Sequence, residues 1–242
     1  MKLSRKVKLL ILILMCSTVF FIYNKTNYNN ISYTIIGDGL SLGINCYGQK
    51  DYGYGDYVKE YLKDQNKLKT YSSEYTSQEM TIERVHNTLL TNEKMKHNNN
   101  NTTLKNILRD TDYLTMTIGL NDLLYKLSIL NEFNENDLNI VIKEIEASFN
   151  DLIKEIRKVY KKDIYIVGYY NIDINNKLYD KAIKKLNNIY KKNKEVTYIS
   201  TFILSENKNI FLPNPTSYYP NYKGYQVISS KIIDKIEKKL EN

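Results

Sequence analysis

Residues 37–41 read Gly37-Asp38-Gly39-Leu40-Ser41 and follow the short apolar run Ile35-Ile36. A strand ending in Gly-Asp and a small residue is a place to mount a nucleophile, yet Gly39 has no side chain to attack with. The other groups able to attack or to move protons are few. Ser41 lies two residues beyond Gly39, and in a strand-to-helix elbow that displacement turns its hydroxyl away, so its expected role is to cap the first helical turn. Cys46 has no histidine near it in sequence and reads as a packed thiol. His86 falls in a helical stretch and His97 in a polar tract, and two separated histidines without a cysteine partner support no metal site. Asp38, Glu74 and Asp122 would make an acid–base pair only if they converge; otherwise the two aspartates cap turns. No cofactor is expected.

The elements that must position these groups alternate between strand and helix, the pattern of a parallel sheet covered on both faces. Strands are predicted over residues 32–36, 67–71, 113–118, 163–169 and 196–202, and helices over 56–65, 80–90, 136–160, 178–192 and 224–240. The clearest periodicity is in 136–160, where Leu138, Val141, Ile142, Ile145, Phe149, Leu152, Ile153 and Ile156 recur at three- and four-residue steps. The tract 97–103, HNNNNTT, reads as an exposed loop. About five parallel strands with long crossovers give a three-layer α/β/α sandwich.

The formal charge of +8 is localised. Lys2, Arg5, Lys6 and Lys8 precede any acid, and without them 35 − 4 = 31 cations face 27 acids. That mild excess carries no basic cluster interleaved with aromatics, so nucleic acid is not an expected partner. The same four cations flank the apolar run 9–23, and no small-x-small cleavage site follows it. Residues 1–27 are therefore expected to be an uncleaved signal anchor and 28–242 one extracytoplasmic domain, with secretion after cleavage as the alternative. The anchor is short, so spanning depends on bilayer thinning or on snorkelling of Lys8 and Lys25. Met15 before Cys16 argues against a lipoprotein. The 23 tyrosines, in a chain also rich in Asn and Lys and lacking Trp, are read as compositional bias.

Function in such a sheet sits beyond the carboxyl ends of the strands. Three loops lie there: Gly37-Asp38-Gly39-Leu40-Ser41, Gly119-Leu120-Asn121-Asp122, and Tyr219-Pro220-Asn221-Tyr222-Lys223-Gly224-Tyr225. In this order and spacing they resemble the SGNH/GDSL hydrolase superfamily, whose pattern is GDS after strand one, GxND after a central strand and DxxHPNxxG before the last helix. The stretch 51–62, DYGYGDYVKEYL, is similar to the segment that follows GDS in bacterial members. The resemblance covers residues 32–240 and implies a flavodoxin-like sandwich that hydrolyses esters of lipids, sugars or cell-wall polymers.

Carried across residue by residue, the resemblance puts Gly39 at the nucleophile, Tyr219 at the catalytic histidine and Thr216 at its aspartate. Glu74 falls at the glycine that donates to the oxyanion. Asn121 matches, as do Asp38, Asp122, Pro220, Asn221 and Gly224. A tyrosine with an ordinary pKa of about 10 is a poor base at neutral pH, and a carboxylate at Glu74 would oppose a developing oxyanion. The expectation is a membrane-anchored domain without hydrolytic side chains that binds a glycan, lipid or acylated cell-wall ligand through Asp38, Gly39, Asn121 and Tyr219. Two alternatives stay open. One is an esterase working with non-standard groups, Asp38, Glu74 and Asn121; the other is a structural partner that docks through the helix at 136–160.

Overall fold

The computed structural model describes residues 5, 11–18, 30–97, 100–130, 132–171 and 176–241. Its centre is a five-stranded parallel sheet in the order β2-β1-β5-β6-β7. The strands are β1 (Ile31–Gly37), β2 (Leu68–Thr76), β5 (Tyr113–Thr117), β6 (Ile164–Val167) and β7 (Thr197–Ile199). This is the doubly wound flavodoxin-like order, with the switch point between β1 and β5, where ligands are bound in folds of this kind.

Helices cover both faces. On one lie α3 (Ile82–Thr91), α4 (Leu104–Asp110), α5 (Leu120–Ser128), α6 (Glu135–Val159) and α7 (Lys177–Lys192). Seven residues of the α6 stripe, Leu138, Val141, Ile145, Phe149, Leu152, Ile153 and Ile156, are buried there against Ile36, Leu114, Met116, Ile164 and Ile166. Ile142 is only partly covered. Each such side chain taken from water is worth roughly 1.5–3 kcal/mol, so this stripe holds the helix on the sheet. Its start is fixed by a capping box, in which Asn134 accepts from the Asp137 amide and Asp137 accepts from the Asn134 amide. The other face carries α2 (Tyr54–Asp64) and α10 (Tyr222–Leu240), packed on Tyr33, Ile35, Tyr165 and Val167. Ile228, Ile232 and Ile236 of α10 are buried, while Val227 and Ile233 sit at the margin.

Several sequence expectations are corrected. The tract at 97–103 is not a plain loop: β3 (Lys94–His97) and β4 (Asn100–Thr103) pair as an antiparallel hairpin, and α4 follows directly. The second strand does not stop at residue 71 but runs to Thr76, because β2 is an edge strand whose polar side chains read as a loop. The last strand is three residues long; two short helices, α8 (Ile203–Glu206) and α9 (Lys208–Phe211), follow it. Cys46 is buried. Most of the anchor expected over 1–27 lies outside the described residues. Residues 11–18 are helical, and no described helix is long and apolar enough to cross a membrane.

Candidate functional site

The loop after β1 turns at once into a four-residue helix, α1 (Gly39–Leu42). Asp38, not Ser41, caps it: its carboxylate accepts from the Leu40 amide at 3.0 Å. Gly37 makes the bend possible. Its φ of +139° belongs to glycine, and a Cβ there would overlap the Thr117 carbonyl. The same crowding ties the loop to β5, where the Asp38 amide donates to Thr117 O at 3.0 Å.

Asp38 is 4 % exposed and is enclosed by donors. Thr117 Oγ1 donates to its Oδ1 at 2.8 Å, and the Tyr169 hydroxyl donates to its Oδ2. Behind Thr117, Ser41 Oγ lies 2.6 Å away and is itself 2.8 Å from the Tyr54 hydroxyl. With the Thr117 proton donated to Asp38, the single Ser41 proton is shared between Thr117 Oγ1 and Ile36 O, which lies 3.0 Å away, and Tyr54 can donate to Ser41. Ser41 is therefore bonded within the wall of the fold and offers no hydroxyl to the cleft. Burial pushes the Asp38 carboxyl up to about 6, against the opposing pull of the Tyr169, Thr117 and backbone hydrogen bonds.

Over Gly39 lies Tyr219. A Cβ built on Gly39 falls 2.6 Å from Tyr219 Cζ and closer still to its hydroxyl oxygen. The phenol thus fills the space into which a nucleophile's side chain would project. Burial, and then the nearby Asp38 charge, push the Tyr219 hydroxyl up to about 12, with a hydrogen bond from the Gln78 side chain opposing them. It is a neutral donor at physiological pH and no general base.

The remaining sequence candidates divide. Asn121 is at the site, but its Nδ2 donates to Gln78 O at 2.9 Å and to Met80 O at 2.8 Å, so both amide hydrogens brace the loop after β2. Asp122 accepts from the Ile82 amide at 3.1 Å and fixes the start of α3. Thr216 is exposed, and its hydroxyl is bonded to Asn214 Oδ1 at 2.8 Å. Glu74 is a correction: its carboxylate meets His97 Nδ1 at 2.6 Å on the hairpin, so Asp38, Glu74 and Asp122 do not form one acid–base group. The residues after β2 that reach the site are Ser77, whose amide donates to Gly37 O, and Gln78. The extra residues of β2 carry the loop past the position assigned to Glu74. Asn221 Oδ1 caps α10 on the Gly224 amide at 3.1 Å, and Pro220 is buried directly before it. Among the described residues no cluster of His, Cys, Asp and Glu is placed to hold a metal.

What the sequence reading missed are tyrosines. Tyr169 and Tyr170 leave the end of β6, the first onto Asp38 and the second onto Tyr218 O at 2.8 Å; Tyr190 bonds Ile118 O. The three phenols knit the loops at the carboxyl edge together. What stays open above Asp38 is a pit of about 50 Å³, room for a few waters. Beside it, sharing Leu120, Leu124, Tyr169, Tyr170 and Tyr218, is a pocket of about 190 Å³ closed by Asn171, Tyr179 and Ile183.

The five-stranded parallel sheet and its flanking helices match the SGNH-hydrolase fold expected from the sequence, and solved lipase and esterase structures share that fold. The lipase Lip_vut3 from a goat rumen metagenome superimposes with a TM-score of 0.67 at 16% identity, over 84% of this chain and 96% of that one. Axe2, an acetylxylan esterase from Geobacillus stearothermophilus, superimposes with a TM-score of 0.59 at 15% identity, over 87% and 95% of the two chains. No family model matches the chain, and no curated protein matches it.

Proposed function

We propose that this hydrolase-like protein is a non-hydrolytic binding domain, anchored by its N-terminal segment on the outer face of the membrane, that holds a glycan-bearing or acylated envelope component. The observation that carries the reading is the Tyr219 phenol seated where a side chain at position 39 would stand. Acyl transfer needs an oxygen or sulfur nucleophile, a base and oxyanion donors. At this site the nucleophile position is glycine, the base position is a neutral phenol and the Asn121 amide is spent on backbone carbonyls.

We place the ligand in the neighbouring pocket, whose lining includes the aromatic side chains of Tyr170, Tyr179 and Tyr218 and the apolar Leu124. That lining suits a sugar ring or a short acyl group. The solved neighbours include an esterase that acts on acetyl-xylooligosaccharides, which makes acetylated oligosaccharides the first probes.

The test is calorimetric titration of the full-length chain with acetylated and deacetylated xylo-oligosaccharides, alongside p-nitrophenyl acetate turnover. The expected result is binding that Leu124→Arg and Tyr179→Ala weaken, with no turnover above the buffer rate. Turnover that disappears in Tyr219→Phe would replace this reading by an esterase with non-standard groups. Binding unchanged by both pocket variants would remove the pocket from consideration.

A further inference from the structure

A second cavity, of about 370 Å³, lies at the amino ends of β1 and β2, remote along the strands from the Tyr219 cleft. Its floor is hydroxyl-lined: the buried strand β1, where Val, Ile and Leu are usual, carries Ser32 and Thr34 beside the polar edge strand β2. Ser32 pairs with Thr70 and Thr34 with Ser72 across the two strands, so two rungs of hydroxyls replace the apolar ladder. Thr111 adds another hydroxyl beneath them and Thr102 of the hairpin adds one from the wall. Ser32, Thr34, Ser72 and Thr111 are each at most 4 % exposed.

Some of these groups are satisfied within the protein. Thr34 Oγ1 and Thr111 Oγ1 are 2.6 Å apart, Thr111 also donates to Ile107 O, and Ser72 Oγ lies 3.2 Å from His97 Nδ1. Among the described residues, the hydroxyls of Ser32, Thr70 and Thr102 make no hydrogen bond to protein. Thr70 and Thr102 are half-buried, so these hydroxyls face the open cavity and can be met by water or by an occupant that replaces it. At the mouth stand Lys69 and Asp110, opposite charges that are not ion-paired to each other, together with Asn106. The Glu74–His97 contact, which the cleft does not use, holds the hairpin as one wall.

We propose that this cavity is a binding site for a small neutral polyhydroxylated molecule of monosaccharide size. Hydroxyls both donate and accept, so a floor of them matches a ligand whose groups do the same. A phosphate or carboxylate would find one lysine opposed by Asp110. The volume falls in the range of about 300–1,000 Å³ typical of small-molecule sites, but the lining is polar where such sites are mostly apolar, which argues for an alcohol over a hydrophobic guest. The proposal is independent of the tyrosine-lined pocket, and either can fail alone.

The test titrates the full-length chain, kept in a sugar-free zwitterionic detergent, with D-glucose, N-acetyl-D-glucosamine and ribitol, followed by saturation-transfer NMR and calorimetry. Inorganic phosphate and glycine serve as charged comparators. At least one neutral probe is expected to bind with a dissociation constant near or below about 1 mM. Thr70→Val and Thr102→Val each remove a hydroxyl that carries no internal bond. They are expected to weaken binding about fivefold or more while leaving the thermal midpoint unchanged. Leu124→Arg, in the other pocket, is expected to leave this affinity alone. The proposal is overturned if no neutral probe binds, if the two variants bind as wild type does, or if only phosphate or glycine is taken up.

Discussion

Tyr219 and Gly39 share one volume: the phenol of one lies where the side chain of the other would have to be. The two positions are consequently a coupled pair. Gly39→Ala alone is expected to destabilise the fold by about 1–3 kcal/mol, the usual cost of overpacking, softened to the extent that the end of the tyrosine swings aside. With Tyr219→Ala the space opens, and the double variant should recover at least about 1 kcal/mol relative to the sum of the singles. Urea unfolding of the four proteins measures the coupling; simple additivity would mean that the two residues do not compete.

The buried Asp38 predicts an unusual pH response. Its folded-state pKa of about 6 lies above the ordinary 3.8, so between those values the native state holds more of this proton than the unfolded chain does. The group's contribution is most favourable below pH 4, is lost as pH rises towards 6, and is level above that. The whole change is on the order of 2–3 kcal/mol. Asp38→Asn should keep the acceptor for Leu40 and Thr117 and lose the titration. Its stability relative to wild type is therefore expected to rise from pH 4 to pH 6 and then to flatten. Denaturation at a series of pH values checks this, and a difference independent of pH would contradict it.

Ser41 offers a separation of structure from chemistry. Its hydroxyl sits between Tyr54, Thr117 and Ile36 O, and Ser41→Ala leaves the Tyr54 phenol without that acceptor. A loss of about 1–3 kcal/mol in stability is expected. Ester turnover and labelling by a fluorophosphonate should be the same in variant and wild type. Covalent labelling of wild type that vanishes in Ser41→Ala would show that the hydroxyl reaches the cleft after all.

How these positions came to be legible differs from one to the next. The α6 stripe was readable because three- and four-residue spacing of large aliphatic side chains has one physical meaning, burial along a helix. The three turn blocks were readable because Gly37, Asp38, Asn121 and Asn221 do backbone work that few other residues can do. Glu74 was misplaced because β2 is an edge strand: Ser72 and Glu74 look outwards in sequence yet turn towards the hairpin and His97, a partner found only in three dimensions. Tyr169 and Tyr170 were lost among 23 tyrosines, since composition hides which phenols end on a carboxylate or a carbonyl. Their one local signal was position, directly after the apolar run of β6 at the edge where loops gather.

Rebuilding the hydrolase pattern tests the proposed non-hydrolytic reading. Gly39→Ser, Thr216→Asp and Tyr219→His together return the three missing side chains, and removal of the phenol makes room for the serine. Two obstacles remain. Thr216 is exposed and bound to Asn214, so an aspartate there has no enforced approach to the new imidazole. Asn121 still spends both amide hydrogens on Gln78 O and Met80 O, and one missing oxyanion donor alone costs about 10²–10³ in rate. The triple variant is therefore expected to fold and to react slowly with a fluorophosphonate at position 39, yet to turn over p-nitrophenyl acetate no faster than wild type. Intact-mass spectrometry and a turnover assay read the two steps separately. Multiple turnover by the triple variant would show that three side chains were the whole deficit and that the remaining loop geometry is still that of a working esterase.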